Sequence, residues 1–559
     1  MIRAMSLMAG KQAFLQILKD EGVSVMFGNP GTTELPLMDG LAREPGIHYV
    51  LALQEAVAVA MADGYAQASG RLAAVNVHVS PGLGNAMGML YDAYKAGSPM
   101  LLTAGQHDQS FTVTEPILWS DLPPVAQPYV KWSTEARRLE DLPRIVRRAV
   151  KTALAHPSGP VFLSLPVDVL NAVRDIDLLA STRVAPRMIG DRGAVAEAAT
   201  LLARAERPLI IAGDAVATSD ALAELAELAE LVGAPVMAEG VPSRCTFPFT
   251  HPLYAGAMPR LMPQVRELLM RHDLVFSVGG DLFTFSLPDD VEPMPHGVKI
   301  VHLDVDPWEI GKNYPAEVGI QGDPKATLPE LSEAVRKVAG KDGRADAKKR
   351  TDAIRKDQQG RRDDLVRKAD GDASRSPMPA LTLVNELAKA APANAVLVEE
   401  AISSSHGIRE LFRCADAKSL FGLRGGGIGW GLPAALGVKL AIPDRPVIAL
   451  IGDGSAMYTN QALWTAARES LAVVYVIFNN GSYRILKQRT HALKGFSAED
   501  DRYVGMDLEP AIDFIGLARS LGVPGERVEK SMDVGTALNR GLASGGPYLI
   551  DVRLDAAFK

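Results

Sequence analysis

Short runs of aliphatic and β-branched residues alternate along this chain with longer segments whose apolar positions recur at the helical period, the pattern of βαβ units wound into mostly parallel sheets. In the first third, runs at 23–27, 49–53, 73–79 and 100–103 predict strands, and 56–68 and 83–94 predict helices between them. The polar segments GNPGTTE, QE and HVSPG then fall at the carboxyl ends of strands, where open α/β sheets bind ligands. A second series opens with PLIIAGD at Pro208, continues through an Ala/Glu/Leu helix at 219–232 and closes with the strands HDLVFSVGG and VKIVHLDVD. The ELAELAEL repeat inside it reads as an amphipathic surface helix. Between 340 and 377, Lys, Arg, Asp and Gly crowd out apolar residues, which predicts a solvated helix and a linker. The last third resumes with AVLVEEA, VIALIGDGS, AVVYVIFNNGS and YLIDVRL as strands, each with a helical segment. The expected fold is α/β, with three doubly wound, mostly parallel-sheet domains at 1–183, 190–340 and 377–559 and a linker at 341–376.

Composition narrows the function classes. With 47% hydrophobic and 22% charged residues the chain has the balance of a soluble globular enzyme. A formal net charge of -7 gives no support for a nucleic-acid partner, which would call for a basic face. The only cysteines, Cys245 and Cys414, sit outside any CxxC spacing, so neither a disulfide framework nor a thiolate metal site is expected, and a reducing cytoplasm fits. The longest apolar runs, such as Val473-Val474-Tyr475-Val476-Ile477-Phe478, are core strands, far short of the roughly 20 residues that span a bilayer. The opening MIRAMSLMAGKQAFLQIL lacks the apolar core and cleavage site of a signal peptide.

Candidate chemistry is concentrated in the last third. One strand runs into Gly452-Asp453-Gly454-Ser455, a helix follows, and the next strand ends in Asn479-Asn480-Gly481-Ser482. A strand–helix–strand unit brings the chain back beside itself, so Asp453 and Asn480 are expected at the same sheet edge. Their oxygens suit a hard cation such as magnesium, which commonly completes its octahedral shell with phosphates. The glycines permit close backbone approach, and the helix that follows offers N–H groups to an anion. A lone Gly-Asp-Gly turn is usually structural; the two motifs together are not.

GDG followed one helix later by NN resembles the signature of thiamine-diphosphate-dependent enzymes. The segments GNPGTTELP, YVLALQEA, ADGYAQASG, NVHVSPGLGNAMG, LLTAGQ, PSRCTFPFTHPLYAG, RGGGIGWGLPAALGV and GDGSAMYTNQALWTAA resemble benzoylformate decarboxylase and its relatives in the acetolactate synthase and pyruvate decarboxylase superfamily, over nearly the whole chain. The resemblance implies thiamine diphosphate and Mg2+ as cofactors, and pyrimidine-binding, central Rossmann-like and diphosphate-binding domains in that order. It implies Asp453, Asn480 and the Ser482 main-chain carbonyl as metal ligands, with Ser403, Gly454, Ser455 and Tyr458 near the diphosphate. Ile428 takes the place of the apolar wedge that bends the coenzyme, and Gly426 offers its carbonyl to the exocyclic amine. Glu55 takes the place of the carboxylate that meets the aminopyrimidine, although a Glu in the first turn of a helix is by itself more often a partner of the helix dipole. His78 matches an active-site histidine able to give or take a proton near neutral pH. Thr32 replaces an expected catalytic serine and keeps the hydroxyl.

Two positions depart from the benzoylformate decarboxylase pattern: a second active-site histidine falls on Ser286, and an aromatic that packs on the substrate falls near Arg489. Ile117 and Leu118 remain to supply an apolar wall for the substrate. The expected function is decarboxylation of a 2-oxo acid to an aldehyde and carbon dioxide; the alternative is a carboligase or acyl-coenzyme A lyase of the acetolactate synthase or oxalyl-coenzyme A decarboxylase kind. A flavin- or nucleotide-dependent oxidoreductase is disfavoured because the central series lacks GxGxxG after a strand. A silent binding homologue is disfavoured by retention of Glu55, Asp453 and Asn480. The family further implies self-association as a dimer or tetramer with active sites between chains; charge and the length of the apolar runs lead to the expectation of neither a nucleic-acid nor a membrane partner.

Overall fold

The structure is a computed structural model that describes residues 6–285 and 287–558. It contains three six-stranded sheets, all parallel, flanked by helices. The first runs in the order His48–Leu51, Val25–Gly28, Ala73–Val77, Met100–Gln106, Val161–Pro166, Ser133–Glu135. The second runs Tyr254–Ala257, Val236–Ala238, Pro208–Ala212, Leu274–Val278, Lys299–Asp304, Val318–Gln321. The third runs Leu420–Gly422, Val396–Glu400, Val447–Gly452, Val473–Asn479, Tyr548–Arg553, Gly525–Val528. The α/β expectation is therefore met. A two-stranded antiparallel ribbon, Ser6–Ala9 with Val173–Ile176, is an addition that the periodicity did not predict.

The inner strands, such as Ala73–Val77, Met100–Gln106 and Val473–Asn479, are short and wholly buried because helices cover both faces, and this is why they read as continuous apolar runs rather than alternating ones. In the first sheet the chain steps outward from 25–28 to 48–51 and then returns to 73–77 on the other side of its starting strand. The third sheet repeats this, from 396–400 out to 420–422 and back to 447–452. Each reversal opens a crevice at the carboxyl ends of the two strands that flank it. One crevice receives the GNPGTTE and HVSPG loops, the other the residues after Glu400 and Gly452.

Some boundaries moved for identifiable reasons. The strand expected to reach 79 stops at Val77, because His78 is the N-cap of the helix Val79–Lys95. The helix expected from 219 begins at Leu222, after Asp220 turns through a left-handed φ of 57°. The polar stretch after 340 forms one helix, Lys341–Gly371, laced by exposed pairs such as Lys348–Asp352 and Arg361–Asp357. Among the described residues, no helix is long and apolar enough to cross a membrane.

First and last domains meet where the helix Glu55–Ser69 packs on the helix Gly431–Ala441. Both helices are apolar on nearly every side because both are enclosed. Their backbones approach so closely that a Cβ on Gly437 would lie 1.8 Å from the Met61 carbonyl oxygen. Glu55 opens the first of these helices, so its position depends on this contact.

Candidate active site

The crevice of the third sheet is an open cleft. Asp453 and Asn480 stand at the ends of adjacent parallel strands, paired Gly452 to Phe478, and both are buried. The Gly454 amide donates to one Asp453 carboxylate oxygen (2.7 Å) and the Gly481 amide to the other (2.6 Å). Asn480 Oδ1 accepts from the Ser482 amide (3.1 Å) and hydroxyl (2.9 Å). Burial pushes Asp453 up to about 6, offset in part by these amides. Ser403, Ser455 and Ile428 line the same cleft, and so does Ser404, whose buried hydroxyl has no partner in the protein. One carboxylate, one carboxamide and serine hydroxyls, that of Ser404 without a partner, make an oxygen-rich donor set, suited to a hard divalent cation and phosphate rather than to zinc or iron. Among the described residues, no group of three or more His, Cys, Asp or Glu side chains forms a metal cluster.

Facing Asp453 is the turn 424–431, which the sequence marked only through Gly426 and Ile428. All three domains grip it. Arg424 reaches the central domain, donating to the Val241 carbonyl (2.6 Å) and pairing with Glu239 (2.7 Å). The Gly427 amide donates to Asp92 Oδ1 (3.0 Å) and the Trp430 indole N–H to Asp63 (2.7 Å), both on first-domain helices. Within the last domain, Glu400 accepts the Gly429 amide on Oε1 (2.6 Å) and the Gly431 amide on Oε2 (2.5 Å). Burial raises all three acids: Glu400 to about 7, Asp92 to about 8, and Asp63 above the usual carboxylate range. The glycines follow from this grip, since a Cβ on Gly425 or Gly427 would strike the Asp92 carboxylate at 2.1 or 2.7 Å.

The first sheet's crevice holds a second group. Glu55 is buried and accepts from Asn85 Nδ2 (3.0 Å). His78 lies beside it: a Cβ on Gly82 would touch both Glu55 Oε1 (2.9 Å) and His78 Cβ (3.1 Å). His78 Nδ1 lies 2.8 Å from Glu34 Oε2 and 3.2 Å from the Thr33 hydroxyl. Glu34 is buried and also accepts the amides of Gly31 (2.9 Å) and Gly105 (2.7 Å). The Tyr49 hydroxyl is pushed up in pKa by burial, then by Glu34 and Glu55, and has no hydrogen-bond partner in the protein.

Of the residues singled out in the sequence, Ile428, Ser403, Asp453, Gly454, Ser455, Asn480 and Ser482 share one cleft. Glu55 and His78 share the other crevice. Leu118 joins the latter, because its carbonyl accepts from Ser80 (2.6 Å), two residues beyond His78. Thr32 and Ile117 are exposed, Tyr458 is half exposed beside Tyr483, and Gly426 is exposed with φ 89°. Arg489 is half-buried on the helix Arg484–Ala492, with no ion pair among the described residues. Ser286 lies outside the described residues. The residues lining the cleft at Asp453 all come from 400 to 485. Sequence reasoning missed Glu34, Asp63, Asp92 and Glu400, although a carboxylate inside an apolar run, as in AVAVAMADGYA or AVLVEEA, is a signal in itself.

Comparison with known proteins finds three family models in succession: thiamine pyrophosphate enzyme, N-terminal TPP binding domain at 8–119; central domain at 195–331; and C-terminal TPP binding domain at 405–552. The chain is 33% identical to a benzoylformate decarboxylase of Pseudomonas aeruginosa over 543 residues, covering 97% of this chain and 98% of that one. It is 30% identical to a probable acetolactate synthase large subunit of Methanococcus aeolicus, covering 98% and 92%. Its fold matches a thiamine diphosphate-dependent 4-hydroxybenzoylformate decarboxylase of Rhodococcus jostii RHA1 with a TM-score of 0.85 and 31% identity, covering 99% of this chain and 100% of that one.

Proposed function

The chain belongs to the thiamine pyrophosphate enzymes, and from that premise we propose that it uses thiamine diphosphate and Mg2+ to decarboxylate a 2-oxo acid to an aldehyde and carbon dioxide. The observation that carries the proposal is the meeting of the Asp453 and Asn480 oxygens at one sheet edge, beside the unpartnered Ser404 hydroxyl. In this reading Asp453, Asn480 and the Ser482 carbonyl hold the cation, while Ser403, Gly454, Ser455 and Tyr458 receive the diphosphate. The turn 424–431 presents the Gly426 carbonyl and the Ile428 side chain to the middle of the coenzyme. When bound, the coenzyme supplies an electron sink for the pair left behind as carbon dioxide departs.

The chain's own residues handle protons and orientation. Glu55, buried in its crevice, is placed to exchange a proton with the aminopyrimidine. Glu34 takes the Nδ1–H of His78, which leaves Nε2 as the nitrogen that exchanges a proton with substrate. Thr32 offers a hydroxyl, and Ile117 and Leu118 an apolar wall. Because the cleft is lined by residues 400 to 485 alone, the proposal includes self-association, with the Glu55 and His78 group of one chain closing the cleft of another. In this reading the domains are 1–183, 190–340 and 377–559, and 341–376 is the linker.

Carboligation or acyl-coenzyme A cleavage is the second reading, favoured by the likeness to acetolactate synthase and by the unpaired charge of Arg489. Purified protein given thiamine diphosphate, Mg2+ and either benzoylformate, pyruvate or oxalyl-coenzyme A distinguishes the two. Carbon dioxide and aldehyde from benzoylformate support the first, and condensation products from pyruvate or release from oxalyl-coenzyme A support the second. No carbon dioxide from any of them, with cofactors saturating, refutes both.

A further inference from the structure

The turn 424–431 lies between the strand Leu420–Gly422 and the helix that opens at Gly431, and only its last residue belongs to either. Its amides are taken by carboxylates from two directions. Glu400 uses both oxygens, one on the Gly429 amide and one on the Gly431 amide. Asp92 uses one oxygen, on the Gly427 amide, and its other oxygen is buried without a partner. These three amides bracket Ile428 in the chain, while Gly426, held by neither acid, is exposed. Asp92 belongs to the helix Val79–Lys95, so a residue of the first domain fixes a turn of the last.

We propose that Asp92 and Glu400 are positioning residues for the coenzyme: together they fix the backbone on both sides of Ile428, so that Ile428 and the Gly426 carbonyl meet the coenzyme in one geometry. This rests on the role assigned above to Ile428 and Gly426, and it adds how that role is enforced and from which domains.

The two acids differ in a way that a purely space-filling role would not reproduce. A carboxamide at 92 still accepts from Gly427 through its oxygen and turns its NH2 toward the position that now has no partner. A carboxamide at 400 must turn an NH2 donor against the N–H of either Gly429 or Gly431. Asp92→Asn should therefore behave like the parent, whereas Asp92→Ala and Glu400→Gln should not.

The measurement is amide hydrogen exchange on the full chain, with and without thiamine diphosphate and Mg2+, followed by calorimetry of coenzyme binding. Without coenzyme, Asp92→Ala and Glu400→Gln should speed exchange across 425–431 by about tenfold, the worth of one lost buried hydrogen bond. Exchange in the strand Val473–Asn479 should be unchanged. The dissociation constant for thiamine diphosphate should rise by a similar factor, and Asp92→Asn should restore both quantities. The inference is overturned if Asp92→Ala leaves 425–431 as protected as in the parent, or if Asp92→Asn is no better than Asp92→Ala. Ile428→Ala separates the two layers: if it binds coenzyme and turns over as the parent does, the role given to Ile428 fails, whatever the exchange data show.

Discussion

Replacing Gly437 by Ala tests how the first and last domains are held together. The added methyl would sit 1.8 Å from the Met61 carbonyl oxygen and 2.6 Å from the Tyr65 amide nitrogen, backbone atoms that no rotamer change can move. Restoring ordinary contact requires the helices Glu55–Ser69 and Gly431–Ala441 to part by about 1.5 Å along most of their length. Overpacking of this kind costs about 2 kcal/mol, which for domains of this size lowers the melting temperature by about 4–8 °C. Separation also shifts Glu55, at the head of the first helix, and strains the Asp63–Trp430 bond across the seam. Misplacement by about an ångström costs on the order of a hundredfold in turnover, so activity should fall further than stability alone would require. Thermal melting by circular dichroism and steady-state rates on the same preparation make the test. A Gly437→Ala protein that melts within about 1 °C of the parent and keeps its turnover would refute the close helix contact as described.

Three other outcomes follow from specific contacts. Glu34→Gln should lower kcat by about tenfold to a hundredfold, because Nδ1 of His78 loses its anionic partner, and should also lower the melting temperature, because the carboxamide sets an NH2 against the Gly31 or Gly105 amide; in a His78→Ala background the same change should bring no comparable further loss of kcat. Burial holds Asp92 near 8 against 3.8 unfolded, so the folded protein keeps a proton that the unfolded chain releases. Relative to Asp92→Asn, the parent should therefore lose melting temperature as pH climbs from about 4 to about 8 and hold level above that; a flat difference, or one of opposite sign, contradicts the burial of Asp92. Gly360→Ala, on the exposed Lys341–Gly371 helix with open space around it, should stabilise by about 0.5–1 kcal/mol, read as a higher melting point for any transition that includes this helix.

The sequence exposed those features whose chemistry demands particular residue types at topologically fixed places. Asp453 and Asn480 were legible because a strand–helix–strand unit can return the chain to only one neighbouring position, and the structure pairs their strands there. The alternation of apolar runs gave the α/β class for the same reason. What stayed hidden depends on contacts between segments far apart. Trp430 and Asp63 are 367 positions apart, and Gly427 and Asp92 are 335 apart, so no local pattern joins them. In GNPGTTE the family resemblance points to Thr32, which is exposed, whereas the buried neighbours Thr33 and Glu34 are the ones that reach His78. Periodicity could not rank adjacent residues of a loop, because the turn Thr32–Glu34 decides which of them faces inward.

Calorimetric titration of thiamine diphosphate into the protein, with and without Mg2+, tests the central claim most directly, since it asks whether the Asp453 and Asn480 oxygens act as a cation-dependent anchor. Uptake should require the metal in the parent and be abolished or greatly weakened in Asp453→Ala and Asn480→Ala. Binding that is indifferent to Mg2+, or equal in the parent and both variants, would contradict it.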